Sequence, residues 1–476
     1  MSSAYDRRRV LLAVSITTLA SFVTGLNARL ALVGFPIVAR ELGAGIDGML
    51  WIIQGFMIGS TILQLIVGRL ADLYGRVRLF NLGFLIFSIA GLVAGLSTSW
   101  VMLSIARIIQ GLGAAFLTSL SITILADNIP SSMLATWLGV NQIAWRAGAT
   151  LGLTISGFII DFLGWRWLYL VYVPIGFAAL FASLNILRDV YRPPTKPCVD
   201  IGGFILFTAF VLTLLIYLTL ALRETPSVSL VATSLLFLAL FIAWELRSSC
   251  KALDFSVFRR WQFVGGIVAH TLYVLGFGSS LTLLVLLFQV AKGFSASTTG
   301  LNMIPFELSF LVFGVVGGRL SDKLGFVAIT TAGLGIASVS LYMLSRLVYT
   351  DSLTEILVIT VLLGIGAGLF VAPNTSSIVT AVEPEKRGVA SALRTLSFNL
   401  GFLASLNMAF LILASFIPYQ LASTLIILGE SALDNPGLST KLVDALSAAF
   451  AAQAVFMAAA IPFSLSRSGS RKTEHG

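Results

Sequence analysis

Charged side chains interrupt runs of this sequence that are otherwise apolar: Arg29, Arg107, Arg146, Arg394 and Glu307. His270 and the amides Asn27, Asn141, Gln142, Asn302, Asn374, Asn399 and Asn407 lie in similar surroundings. A charge placed in hydrocarbon costs from about 2.5 to more than 10 kcal/mol, so each needs a partner or a task. A carboxylate that alternates between an apolar setting and a neighbouring arginine changes its proton affinity, which is the physical basis of proton coupling. Glu307, two residues after Pro305, is the acid placed to do this, because Asp72, Asp127, Asp161 and Asp322 fall near the ends of apolar runs. Arg146 either pairs with Glu307 or holds an anionic group of a substrate. Arg29 and Arg394 lie close enough to run ends to snorkel. His270 reads as a satisfied polar residue in preference to a relay.

Other chemistries lack their parts. The sequence shows no nucleophile–base pair, no cluster of His, Asp and Glu at metal-ligand spacing and no phosphate-binding glycine loop. The expectation is therefore that the chain is not an enzyme, with no cofactor and no metal. Cys198 and Cys250 have no metal-ligand spacing either, and they are expected to be free thiols on a reducing side.

The elements that must carry these residues follow from composition. Apolar residues make up 57% of 476 positions and charged ones 11%, far from the roughly 25% charge of soluble domains. Apolar runs near the 17–25 or so residues that cross a bilayer as helix recur about fourteen times, without the alternation of a β-barrel. The fold class is an all-α membrane protein of about fourteen spans. The net charge of +9 would suit nucleic acid, but Lys and Arg sit in short clusters between runs. About twenty of them fall on one side and six on the other, so the basic side is cytoplasmic and holds both termini. The partner is the lipid bilayer, with no nucleic acid. Residues 417–429 are mildly amphipathic and suggest an interfacial helix on the outer side.

An internal repeat orders the spans. Gly68-Arg69-Leu70-Ala71-Asp72-Leu73-Tyr74-Gly75 returns as Gly318-Arg319-Leu320-Ser321-Asp322-Lys323-Leu324-Gly325, each copy after the second span of a six-span block. Two such halves mark a parallel repeat about an axis along the membrane normal. The expected organisation is a six-helix bundle over residues 1–190, two additional spans over 191–260 and a second six-helix bundle over 261–476, the bundles related by pseudo-two-fold symmetry. Gly75 and Gly325 permit positive φ at a tight turn. Asp72 and Asp322 can accept from a facing helix N-terminus or a cation, a contact suited to a gate latch that holds in one state only.

With these motifs in place, the chain resembles the fourteen-spanner drug:proton antiporter branch of the major facilitator superfamily over nearly its whole length. The inner-loop signature is met by Gly68, Leu70, Asp72, Gly75 and Arg76, and again by Gly318, Leu320, Asp322 and Gly325. The fourth-span signature is met by Arg107, Gln110, Gly111, Gly113, Ala114 and Ala115. A W-R-W segment followed by V-P-x-G is met at Trp165-Arg166-Trp167 and Val173-Pro174-Ile175-Gly176. The resemblance implies a secondary transporter exporting small amphipathic compounds by alternating access. It links Arg107 to proton coupling, and Gly148, Gly152 and Gly157 to the gating helix. Three positions depart from the pattern: Asn27 stands where the branch carries a first-span aspartate, Leu153 replaces the proline of the fifth-span signature and Ser156 one of its glycines. A neutral amide cannot carry the proton. Asn27, Arg107, Gln110, Arg146 and Glu307 are thus the candidates for coupling or cavity lining. Expected partners are a small-molecule substrate and protons, and the expected state is a monomer. Two other readings remain: a facilitative or other-ion-coupled carrier of an anionic metabolite, and a transport-inactive membrane sensor. Sensors usually add a soluble signalling domain, for which neither terminus is long enough.

Overall fold

The computed structural model describes residues 7–64, 66–129, 131–189, 198–221, 228–248, 250, 255–383, 386–417 and 436–467; the interfacial helix expected over 417–429 lies outside them except for Ile417. The described residues form helices and no strands, as they must where no water satisfies backbone groups. The helices are α1 (Arg7–Glu41), α2 (Ile46–Gln64), α3 (Val67–Tyr74), α4 (Arg76–Gly95), α5 (Trp100–Asn128), α6 (Ser131–Leu163), α7 (Trp167–Leu170), α8 (Val173–Ile186), α9 (Ile201–Leu220) and α10 (Val228–Arg247). They continue with α11 (Trp261–Phe277), α12 (Ser280–Val285), a π-helical turn (Leu286–Ala291), α13 (Ala296–Leu324), α14 (Phe326–Leu347), α15 (Leu353–Thr380), α16 (Arg387–Phe416) and α17 (Pro436–Leu465). Among the described residues, fourteen stretches are long and apolar enough to cross a membrane. The protein is an all-α, multi-pass membrane protein of two six-helix bundles and two extra spans.

The chain divides into two compact units, residues 1–217 with 226–252, and residues 218–225 with 253–476. In the first, α1 packs along α6 and α5 receives both α2 and α4. In the second, α15 receives α13 and α14, and α17 packs on α14 and α11. The fourth span of each block starts on a serine cap: the Met102 amide donates to Ser99 Oγ at 3.2 Å, and the Glu355 amide to Ser352 Oγ at 3.4 Å. These caps satisfy donors that the first helical turn leaves orphaned.

The two extra spans, α9 and α10, belong by packing to the first unit. α10 is the most exposed of the spans, with Leu235, Leu236 and Leu246 outward. The pair is held by Phe207 against Phe241, ring centroids 5.4 Å apart, and by Trp244 Nε1 donating to Asp200 Oδ1 at 2.7 Å. This pairing overturns one expectation. Cys198 and Cys250 are not free thiols; they form a disulfide with Cα atoms 5.6 Å apart. Cys198 precedes α9 and Cys250 follows α10, so the packing of the hairpin brings them together.

Candidate functional site

A buried polar network crosses the first unit. Arg107 on α5 donates from Nη1 to Asn27 Oδ1 on α1 at 2.8 Å and to Gln110 Oε1 one turn along α5 at 2.9 Å. Gln110 Nε2 donates to the hydroxyl of Tyr172, between α7 and α8, at 2.7 Å. All four side chains are at most 2% exposed. The guanidinium also lies over the rings of Phe56 on α2, at 4.8 Å, and Tyr169 on α7, at 5.7 Å. Such contacts gain strength when desolvated. The position that resembles the branch's first-span acid thus faces the fourth-span arginine directly, but it offers an amide oxygen. Arg107 Nε is buried without a hydrogen-bond partner, so the cation retains donor capacity.

Small residues set the seam beside this network. A Cβ on Gly148 would overlap the Phe22 carbonyl oxygen, and one on Gly152 would lie 2.5 Å from that of Leu26. α1 and α6 therefore meet backbone to backbone. Gly157 is buried further along α6, with Leu153 and Ser156 at 0% exposure. Ser21 Oγ donates to Asn141 Oδ1 at 2.6 Å, and Asn141 Nδ2 to the Thr17 carbonyl at 3.1 Å, adding polar ties to the same seam.

At the end that carries the basic clusters, here called inner, the first copy of the repeat forms a clasp. Gly75 has φ 101° and Gly325 φ 85°, a region that costs glycine little and other residues much. The turn at Gly75 aims Arg76 back at its own motif. Arg76 donates from Nε to Asp72 Oδ1 at 3.1 Å and from Nη2 at 2.9 Å, and from Nη1 to Asp127 Oδ1 on α5 at 2.6 Å. Asp189, just beyond α8, accepts from the Val77 amide at 2.7 Å, where a carboxylate suits the N-terminus of α4. Of the two partners anticipated for Asp72, it has the cation. The facing-terminus role falls to Asp189. In the second copy, Phe326 follows Gly325 where Arg76 follows Gly75. Asp322 makes no ion pair among the described residues.

The remaining candidates lie on other helices. Arg146 is partly exposed on α6 in the first unit, and Glu307 is 4% exposed on α13 in the second. Gly68, Leu70, Gly318 and Leu320 lie on α3 and α13 beside the repeat's acids. His270 on α11 is 1% exposed, and both ring nitrogens lack hydrogen-bond partners, unlike the satisfied residue expected. Sequence reasoning missed Tyr172 and Asp189. It also missed a network at the break between α11 and α12: Gln453 Nε2 donates to Ser279 Oγ at 2.7 Å, Ser280 Oγ to Gln453 Oε1 at 2.9 Å, and the Ser279 amide to Ser405 Oγ at 3.0 Å. The Gly278-Ser279 pair was its only signal. The W-R-W segment has a local reason. Trp165, 1% exposed, donates Nε1 to Glu41 Oε2 at 2.7 Å, and Arg166 lies 3.7 Å from the same oxygen. This ties the outer end of α1 to the α6–α7 turn.

Repeated inner loops and fourteen spans in two units define a membrane carrier fold, and comparison with known proteins gives the family. The model of the Major Facilitator Superfamily matches residues 17–406 and 266–465. The chain belongs to this superfamily, as a transporter of the fourteen-span type. It is 28% identical over 391 residues to the riboflavin transporter RibZ of Clostridioides difficile (strain 630), covering 81% of this chain and 85% of that protein. It is 28% identical over 440 residues to the multidrug resistance protein Stp of Mycobacterium tuberculosis (strain CDC 1551 / Oshkosh), covering 90% and 80%. It is also 29% identical over 400 residues to EmrY of Escherichia coli (strain K12), a probable multidrug resistance protein, covering 81% and 77%. Among solved structures, a bacterial homolog of the human lysosomal transporter Spinster, inward-facing and unoccupied, matches with TM-score 0.67 at 18% identity. That match covers 98% of each chain and speaks for the fold alone.

Proposed function

We propose that this transporter exports small amphipathic compounds by alternating access, driven by protons, with the coupling acid at Glu307. The observation that carries the coupling assignment is the Arg107–Asn27 contact. A cation at membrane depth faces an amide with no proton to exchange, so the load passes to another acid. Glu307 is 4% exposed within an apolar span, where a charge is costly and so needs a task. Relatives named for multidrug resistance support the export of amphipathic compounds. The two bundles over 1–190 and 261–476 carry the cycle, with the spans within 191–260 as an addition. The protein resides in the cell membrane as a monomer with both termini cytoplasmic.

A second reading is favoured by the buried, unpartnered Nε of Arg107. That donor suits an anionic metabolite carried by facilitation or with another ion.

The test is Glu307→Gln in proteoliposomes. It should abolish pH-driven accumulation of an amphipathic cation such as ethidium while leaving ethidium exchange intact. Full proton-driven accumulation in the variant would make Glu307 structural and move the coupling acid elsewhere, whereas wild-type flux indifferent to the pH gradient would favour the second reading.

A further inference from the structure

The inner end of the second unit contains a buried arginine outside the family signatures matched above. Arg467 follows α17 and is 2% exposed. Its Nη1 donates to Asn374 Oδ1 at 2.8 Å and Ser377 Oγ at 2.9 Å, both on α15. Its Nη2 donates to Thr330 Oγ1 on α14 at 3.2 Å and Ser464 Oγ on α17 at 3.0 Å. Its Nε reaches the Ser464 carbonyl at 3.4 Å. A guanidinium has five N–H donors, and five acceptors meet this one, all neutral. The group is saturated, which argues against a site for a substrate anion. Burial pulls its pKa down to about 10, so it remains a cation at neutral pH.

The surroundings are built to receive it. The guanidinium lies over the ring of Phe326, 5.2 Å from the centroid. A Cβ on Gly265 of α11 would sit 3.0 Å from Arg467 Cγ, and one on Gly266 would sit 3.4 Å from Nη1. Asn374 Nδ2 in turn donates to the Gly266 carbonyl at 3.3 Å. One side chain thus joins α14, α15 and α17 directly, and α11 through Asn374.

Set beside the first unit, this is the same junction made from transposed parts. There the third span supplies the arginine, Arg76; the fourth supplies Asp127; and the residue after the sixth, Asp189, accepts from the start of the third. In the second unit the residue after the sixth span supplies the arginine. The third supplies Phe326 where the repeat would place its own, and the fourth supplies neutral acceptors. We propose that Arg467 is the positioning residue of the second unit's inner end, replacing the arginine that its copy of the repeat lacks. Every acceptor of this clasp is neutral, whereas the first unit's clasp pairs Arg76 with the carboxylates of Asp72 and Asp127.

Hydrogen exchange on the purified full chain tests this without reference to any substrate. In Arg467→Met, amides at the inner ends of α14, α15 and α17 should exchange at least tenfold faster. Amides at the outer end of α15 and around Val77 in the first unit should be unchanged. Adding Phe326→Arg, which stands four residues after Asp322 as Arg76 stands after Asp72, should recover at least threefold of that loss on α14. Arg467→Lys should fall between wild type and Met. If Arg467→Met does not fold, Asn374→Ala carries the same comparison. Equal acceleration at the inner and outer ends, no acceleration, or no recovery with Phe326→Arg would overturn the proposal.

Discussion

The inner clasp of the first unit predicts a specific coupling energy. Arg76 Nη1 lies 2.6 Å from Asp127 Oδ1, and each side chain is 16% exposed. Its contact with Asp72, at 2.9 Å with the acid 24% exposed, is an i,i+4 pair within one turn of chain. A hydrogen bond to a charged group contributes roughly 1.5–3 kcal/mol. Couplings measured between helices in a membrane protein average about 0.6 and reach about 1.7 kcal/mol. The Arg76–Asp127 pair joins two spans and is mostly buried, so its coupling should be about 1–1.5 kcal/mol, within that range. The Arg76–Asp72 pair spans the turn at Gly75 and its acid is more exposed, so it should give less, about 0.2–1 kcal/mol, as partly exposed ion pairs do. The assay is a double-mutant cycle of Arg76→Gln with Asp127→Asn, and another with Asp72→Asn, by equilibrium unfolding in mixed micelles. Independent sites add to within about 0.3–0.5 kcal/mol. If the Asp127 cycle is additive within that margin, or smaller than the Asp72 cycle, the junction between α4 and α5 does not depend on this arginine and the reasoning fails.

Two further predictions concern the cycle and the seam. Asp72→Asn should slow turnover more than it weakens substrate binding, because a latch stabilises one state only; transport assayed at matched surface expression checks this, and an unchanged rate contradicts it. Gly148→Val should lower the thermal midpoint and the yield of folded protein, since its side chain overlaps the Phe22 carbonyl and overpacking typically costs about 1–3 kcal/mol. Gly139→Ala on the same helix, whose added Cβ meets nothing within 4 Å, should leave the midpoint in place.

How much of this could be read in advance depended on the range of the interaction. Span number and the turns at Gly75 and Gly325 follow from local hydropathy and from glycine's access to positive φ, and they were legible. The resemblance placed Asn27 and Arg107 among the candidates, but their direct contact, across 80 residues of sequence, was not legible. Asp189 and Arg467 carried no local signal: an arginine after an apolar run reads first as a topology marker, and an acid there as a solvated loop charge. Their roles depend on α8 and α17 docking against helices more than 90 residues away in sequence. The disulfide was missed for the same reason: it rests on the pairing of α9 with α10, which two featureless apolar runs do not specify. His270 was misread because one of the rings that surround it, Phe398, comes from another span, α16.

The central claim is that this chain moves a substrate against its gradient at the expense of a proton gradient. Wild-type protein in proteoliposomes, with an internal pH dye and a panel that includes ethidium and riboflavin, tests it most directly. The account predicts that at least one amphipathic compound will elicit proton movement opposite to its own and accumulate only while the pH gradient lasts. Substrate flux that equilibrates without proton movement, and is unaffected by collapsing the gradient, would contradict it.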